Sequence, residues 1–216
     1  MQIRTLIKSY LLFALVALGI SLGIKAGLGL SSFNAFSMSL GQMMTLKVGH
    51  VVVVLNLTFL GVYIVQTHFN DWVKYGLQVL SVLIFGSLVN YFTYDMLEGL
   101  DLTGYASRVI VFLMGTLISG LSIGGLIYYD QITFPLENVC RCLADRLKVP
   151  FVYTRYGFDV IFLLLACLMA LTQSSELNIR EGTLMSMVVL PGAIDLGRRL
   201  LFRIDGHQIM GGSYEV

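Results

Sequence analysis

Between Lys74 and Asp95, and again between Arg108 and Asp130, the chain carries no charged residue. Each run is long enough for one helix to cross a bilayer, which takes about 20 apolar residues. The composition agrees: 56% of the 216 residues are hydrophobic, only 12% are charged, and the mean hydropathy is +0.81. Soluble domains carry about 25% charged residues. The chain therefore reads as an all-α, polytopic integral membrane protein.

Six spans are expected, at about 5–25, 48–67, 73–94, 108–129, 152–173 and 181–202. The last two are less clean, since each contains an Asp. The basic start, with Arg4 and Lys8, reads as the cytoplasmic end of a first span. A cleaved signal is not expected, because apolar spans follow to the end. Two short segments, 31–46 and 133–148, are left over. A helix over either reaches about 24 Å, short of the roughly 30 Å hydrocarbon core.

Lys and Arg set orientation in membranes. With six alternating spans, Arg4, Lys8, Lys74, Arg141, Arg146, Lys148, Arg155, Arg198, Arg199 and Arg203 fall inside. Lys25, Lys47, Arg108 and Arg180 fall outside. The bias places both termini in the cytoplasm, with 204–216 as a cytoplasmic tail. The expected location is a plasma membrane.

The two halves, 1–100 and 104–203, repeat the same order of features. At an offset of 103, "SSFNAFSMSLGQMMTLKV" falls on "FPLENVCRCLADRLKVPF". Ser32 then meets Pro135, Asn34 meets Glu137, and Asn56 meets Asp159. With two residues inserted, Asn90 meets Asp195. Three spans per half is odd, so the second half must be inverted. Inverted repeats with short or broken helices at the substrate site recur in secondary transporters. The segment "AGLGLSSFNAFSMSLGQMM" reads as a half-penetrating, re-entrant element hinged at Gly27 and Gly29, and 132–148 as its mirror; the two are expected to line a midplane site, with Asn34 and Glu137 at the tips and Asn56 and Asp159 facing it. Non-helical backbone is tolerated at membrane depth only where protein or a water-filled cavity covers it.

The stretches "ALGISLGIKAGLGLSSFNAFSMSLGQ" and "GTLMSMVVLPGAIDL" resemble the YitT/YczE/YyaS-type bacterial integral membrane proteins. The resemblance covers about 9–200. It implies a polytopic helical fold and little chemistry. The sequence departs from that pattern at Ser32, where the family often has Pro, and at Asn34, where an acid is common.

Ionisable groups inside spans are costly and are functional candidates by default. Glu137, Asp159 and Asp195 form an acidic set expected on the cytoplasmic half. Their partners Asn34, Asn56 and Asn90 form a neutral set expected on the external half. All six are candidate substrate-binding residues, and Asp159 lies deepest along its span. A plainer reading stands beside this one. Arg141, Arg155 and Arg199 each lie four residues after or before one of the acids, so each acid has a partner on its own helix face. The sequon at Asn56 lies in an apolar run and is not read as a glycosylation site. The glycines at 19, 23, 27, 29, 115, 120, 124 and 125 read chiefly as helix-packing positions. Cys140, Cys142 and Cys167 read as packing residues, with no cofactor or metal site expected.

No catalytic set, phosphate loop or nucleic-acid signature is present. The leading expectation is transport of a small solute or ion, with protons as candidate coupling ion. The alternative is a non-catalytic membrane binding or accessory subunit serving a partner protein. A homodimer is the other candidate assembly.

Overall fold

The computed structural model describes residues 3–69, 72–130, 132–173 and 180–204. All but the first residue of the expected tail lies outside them, as does His207. Among the described residues the fold is all-helical. The α-helices are α1 Ile3–Ala26, α2 Ser32–Met44, α3 Val48–Gln66, α4 Trp72–Asn90, α5 Tyr105–Tyr129, α6 Pro135–Leu147, α7 Phe151–Gln173 and α8 Glu181–Ile204. A single π-helical stretch, Tyr91–Met96, extends α4.

Among the described residues, five helical stretches are long and apolar enough to cross a membrane: Arg4–Ala26, Val48–Gln66, Trp72–Met96, Tyr105–Tyr129 and Phe151–Met169. The sixth expected span is helical as α8 but is not among them. Asp195, Arg198, Arg199 and Arg203 crowd its C-terminal half. Outward-facing apolar side chains mark the lipid surface: Leu171, Val188 and Val73 remain 83%, 77% and 75% exposed. Such a surface is stable against acyl chains and costly against water. The chain is a multi-pass membrane protein.

The two leftover segments form α2 and α6, close to their expected limits. At 13 residues, each is about 20 Å long and too short to cross. Both bury their N-terminal ends and expose their C-terminal ends. Ser32, Ala35 and Ser37 are buried on α2, whereas Gln42 to Met44 are exposed. On α6, Pro135 to Cys140 are buried, whereas Asp145 to Leu147 are exposed. Thus each short helix aims its N-terminus into the bundle.

Local backbone geometry recurs at the offset of 103. Thr45 and Lys148 close α2 and α6 in the left-handed region, each with φ of 54°. The Leu46 N–H donates to Gly41 O (2.9 Å), and the Val149 N–H to Ala144 O (3.1 Å). The Ala35 N–H donates to Ser31 O, and the Asn138 N–H to Phe134 O. The packing partners recur as well: α2 lies on α7 and α3 on α6, while α1 lies on α4 and α5 on α8. The correspondence weakens at α3, which packs closely on α4; among the described residues α7 and α8 make no contact of comparable extent.

The centre is apolar. Phe13 and Val16 of α1, Val52 of α3, Phe85 of α4 and Ile123 of α5 pack around Phe134, just before α6. The Phe134 ring lies 4.5 Å from that of Phe13 and 4.8 Å from that of Phe85. A second cluster joins Leu136 and Cys140 of α6 to Phe162 of α7, with Phe33, Phe36 and Phe59 packed on it. The cysteines are free thiols, and Cys140 is buried in that cluster.

Glycine lets α1 and α5 touch through their backbones. A Cβ added at Gly115 would meet Gly19 O at 2.5 Å, and one added at Gly19 would meet Gly115 O at 2.5 Å. Gly120, Gly124 and Gly197 play the same part between α5 and α8. Gly61 has nothing within 4 Å of its missing Cβ. Overpacking costs about 1–3 kcal/mol, and Gly to Ala in an open helix interior gains up to about 1 kcal/mol. Gly115→Ala is therefore expected to lower the unfolding temperature of the detergent-solubilised protein, while Gly61→Ala leaves it unchanged or raises it.

Candidate functional site

The chain between α1 and α2 must turn sharply to bring the N-terminus of α2 inward. Gly27 and Gly29 make the turn, with φ of +64° and +109°. A side chain at Gly29 would also strike the Arg180 backbone and Thr183 Oγ1, both 2.9 Å from its Cβ position. The turn is tied to α8. The Gly182 N–H donates to Leu28 O (2.8 Å), and the Arg180 guanidinium donates to Gly27 O (3.2 Å). The expected hinge glycines thus sit in a strapped corner.

On the other side, Pro135 occupies the first turn of α6 and Phe134 precedes it. Pro suits that position because its missing N–H would have had no intrahelical partner. Glu137 follows in the first turn, where a carboxylate faces the positive end of the helix dipole.

Between the two N-termini lies a partly open cavity of about 90 Å³ to which all eight α-helices contribute. That is room for several water molecules. Asn34, Asn56, Glu137 and Arg155 line it, together with Ser31, Thr116, Ser119 and Ser186. Most of the remaining wall is apolar, including Phe33, Phe85, Phe112 and Phe134. Gly23 also lines it and has open space where a Cβ would stand.

Arg155 of α7 is the hub of the charges. Its Nη1 donates to Asp159 Oδ1 at 2.5 Å, one helical turn along α7. Its Nε lies 3.9 Å from Glu137 Oε1, across the α6–α7 contact. Ser32 of α2 donates its hydroxyl to the same Asp159 oxygen. Side-chain exposure is 13% for Arg155, 8% for Glu137 and 10% for Asp159. Two carboxylates therefore share one buried guanidinium. Glu137 Oε2 is buried and has no hydrogen-bond partner among the described residues. A buried polar atom left unpaired costs about 1–3 kcal/mol, and more when charged.

The six sequence candidates separate into two groups. Asn34, Asn56 and Glu137 meet at the cavity wall, and Asp159 lies behind them on Arg155. Asn90 and Asp195 lie apart from the cavity lining. Asn90 Oδ1 accepts the Gly49 N–H (2.9 Å) and holds α3 to α4. Asp195 is 41% exposed and paired with Arg198 (3.1 Å) and Arg199 (2.7 Å). The expected pairing of Glu137 with Arg141 is replaced. Arg141 binds Asp130 at 2.8 Å, and Glu137 turns to Arg155. Ser31 carries no charge or motif that would single it out in sequence, and Ser32 stands out only as the position aligned with Pro135.

The residues 3–198 match the model of DUF6198, a family of unknown function. The chain belongs to this family. It is similar to the uncharacterised membrane protein YczE of Bacillus subtilis (strain 168), with 24% identity over 70% of this chain and 68% of that protein. It is also similar to the uncharacterised protein YyaS of the same organism, with 26% identity over 70% of this chain and 74% of that protein. No solved structure matches the chain. The YczE and YyaS likeness carried by the glycine-rich corner and the last helix is thus found along most of the chain.

Removal of Arg155 leaves two buried carboxylates without a counter-charge, whereas removal of Glu137 leaves the Arg155–Asp159 pair complete. Breaking a buried pair costs about 3–5 kcal/mol. Thermal unfolding in detergent is expected to rank Arg155→Gln well below wild type, with Glu137→Gln equal to wild type or above it. Adding Glu137→Gln to Arg155→Gln should recover part of the loss.

Proposed function

We propose that this DUF6198 protein is a transporter of a small solute, coupled to protons, whose site is the cavity between the N-termini of α2 and α6. The observation that carries this reading is the unpaired, buried Glu137 Oε2 at the wall of a cavity that all eight α-helices line. A packing defect would be dry and apolar. This cavity instead is lined by Asn34, Asn56, Glu137 and Arg155, and Glu137 Oε2 lies buried without a hydrogen-bond partner among the described residues. Asp159 serves the site by fixing Arg155 and by tying α7 to Ser32 of α2.

In this reading the protein has six spans, α8 being the sixth, and its two halves are inverted repeats. The recurring caps and packing partners support it. The short helices then enter from opposite faces of a bacterial plasma membrane, with both chain termini in the cytoplasm. The Lys and Arg distribution supports that orientation. Alternating access would proceed by rocking one half against the other around a fixed midplane site. The protein carries out no covalent chemistry in this account.

The test needs no prior choice of solute. Proteoliposomes containing this chain alone are offered a deproteinised extract of uniformly ¹⁴C-labelled bacterial cells. Label is expected to accumulate above that in empty liposomes. An opposing pH gradient should change the rate, and Glu137→Gln should abolish that pH response. Gly23→Phe, which fills the cavity, should abolish uptake while the protein stays folded. No accumulation by well-folded wild-type protein, together with a stable partner that co-purifies from membranes, would favour an accessory subunit instead.

A further inference from the structure

The two halves differ where their last two helices meet. In the first half, α3 and α4 touch through Gly49 and Gly86. A Cβ added at Gly86 would lie 2.7 Å from Gly49 O. Asn90 Oδ1 accepts the Gly49 N–H (2.9 Å) and locks the pair. At the matching positions of the second half stand Val152, Pro191 and Asp195. Close approach of two backbones needs small residues, and valine and proline do not allow it. Asp195 pairs with Arg198 and Arg199 of its own helix. Among the described residues, α7 and α8 accordingly make no close contact like that of α3 with α4.

The seam between α7 and α8 leads to the cavity. Arg155 lines it from α7, and Ser186 and Leu190 line it from α8. The lining residues on α3, α4, α5 and α6 are buried. Partial exposure is kept by Ser31, Phe33 and Asn34 at the α2 tip, by Arg155 and Leu190, and by Ile20 on α1. The mouth therefore lies mainly where α7, α8 and the α2 tip come together. The outer faces of both long helices are apolar, with Val160, Ile161, Leu184 and Val188 exposed. A gap bordered by such faces opens on acyl chains rather than on water.

The polar wall behind the mouth has no charge to spare. Arg155 is answered by Asp159 and Glu137. The α6 terminus carries Glu137 in its first turn, and Ser32 joins the α2 terminus to Asp159. A charged ligand group would enter a poorly solvated space without a counter-charge. The remaining polar groups are neutral. Thr116 and Ser186 donate their hydroxyl protons to Phe112 O and Thr183 O, at 2.8 Å each. Asn56 Nδ2 donates to Val52 O at 2.9 Å. Asn56 is 2% exposed, and its Oδ1 has no hydrogen-bond partner among the described residues. These oxygens still offer lone pairs, which accept from a hydroxyl.

We infer that the cavity holds the uncharged, hydroxyl-bearing head of a single-chain amphiphile of the monoacylglycerol class, which enters from the bilayer with its chain in the seam between α7 and α8. This goes beyond the transport reading, because it names a ligand and its route independently of whether the ligand is then moved.

Three photoreactive probes test it on the full chain in nanodiscs. They share one palmitoyl-length chain with a diazirine near the head, and they differ in the head: a glycerol ester, a carboxylate or an ammonium. Adducts are located by mass spectrometry after illumination. The glycerol-headed probe is expected to label the α2 tip and the 181–195 stretch of α8 at least 10-fold more than either charged probe. Unlabelled monoacylglycerol should compete. Asn56→Leu should remove the preference for the glycerol head. Val152→Gly combined with Pro191→Gly gives the seam the glycines of α3 and α4, and it should lower labelling at these sites. Equal labelling by the three heads would overturn the assignment. So would adducts spread over the outer helix faces without competition. If label from the cell extract accumulates in that case, transport stands and only this assignment falls. Should either variant fail to fold, the wild-type ranking and the competition decide alone.

Discussion

A guanidinium shared by two carboxylates holds the centre of this molecule. Arg155 reaches Asp159 along its own helix and Glu137 on the neighbouring one. Ser32 then brings a third helix, α2, to the same Asp159 oxygen. Charges taken out of water are stable only when paired and hydrogen-bonded. The cluster therefore fixes α2, α6 and α7 to one another around a single point. In a bilayer, where apolar packing alone gives little preference for one neighbour over another, such a polar junction supplies registry.

The short helices explain how that junction comes to lie inside. Each is too short to cross, and each buries its N-terminal end. A glycine corner delivers one, and Phe134-Pro135 delivers the other. The same fold element thus appears twice, but with different chemistry at its tip. The α6 tip carries its own acid, Glu137, whereas the α2 tip meets Asp159 of α7 through Ser32.

Much of the scaffold was legible in the sequence, because apolar length and the position of Gly, Pro and charge decide where membrane helices begin and end. The expected segments 31–46 and 133–148 became Ser32–Met44 and Pro135–Leu147. The offset of 103 that aligned weakly in residue identity reappears in backbone bonds. The site was less legible. A meeting of the two tips, Asn34 and Glu137, follows from two short segments that cannot cross, and both residues line one cavity. That Arg155 rather than Arg141 answers Glu137 depends on how α6 and α7 pack, and nothing local encodes that. The i,i+4 rule found Arg155 with Asp159 and Arg199 with Asp195, but misplaced Arg141. Asp130 ends α5 close enough to capture that arginine, a contact made by the turn before α6. Asn90 lies apart from the cavity lining and holds α3 to α4.

The central claim is that α2 and α6 enter from opposite membrane faces and meet at the cavity. Their exposed C-terminal ends report it directly. Met44 and Leu147 are 54% and 59% exposed and occupy matching positions in the two short helices. Single cysteines at these positions, in a chain whose native cysteines are replaced by alanine, can be labelled in intact cells and in inverted vesicles. A membrane-impermeant maleimide should modify Met44→Cys only from outside and Leu147→Cys only from the cytoplasmic face. Modification of both from the same face would contradict the account.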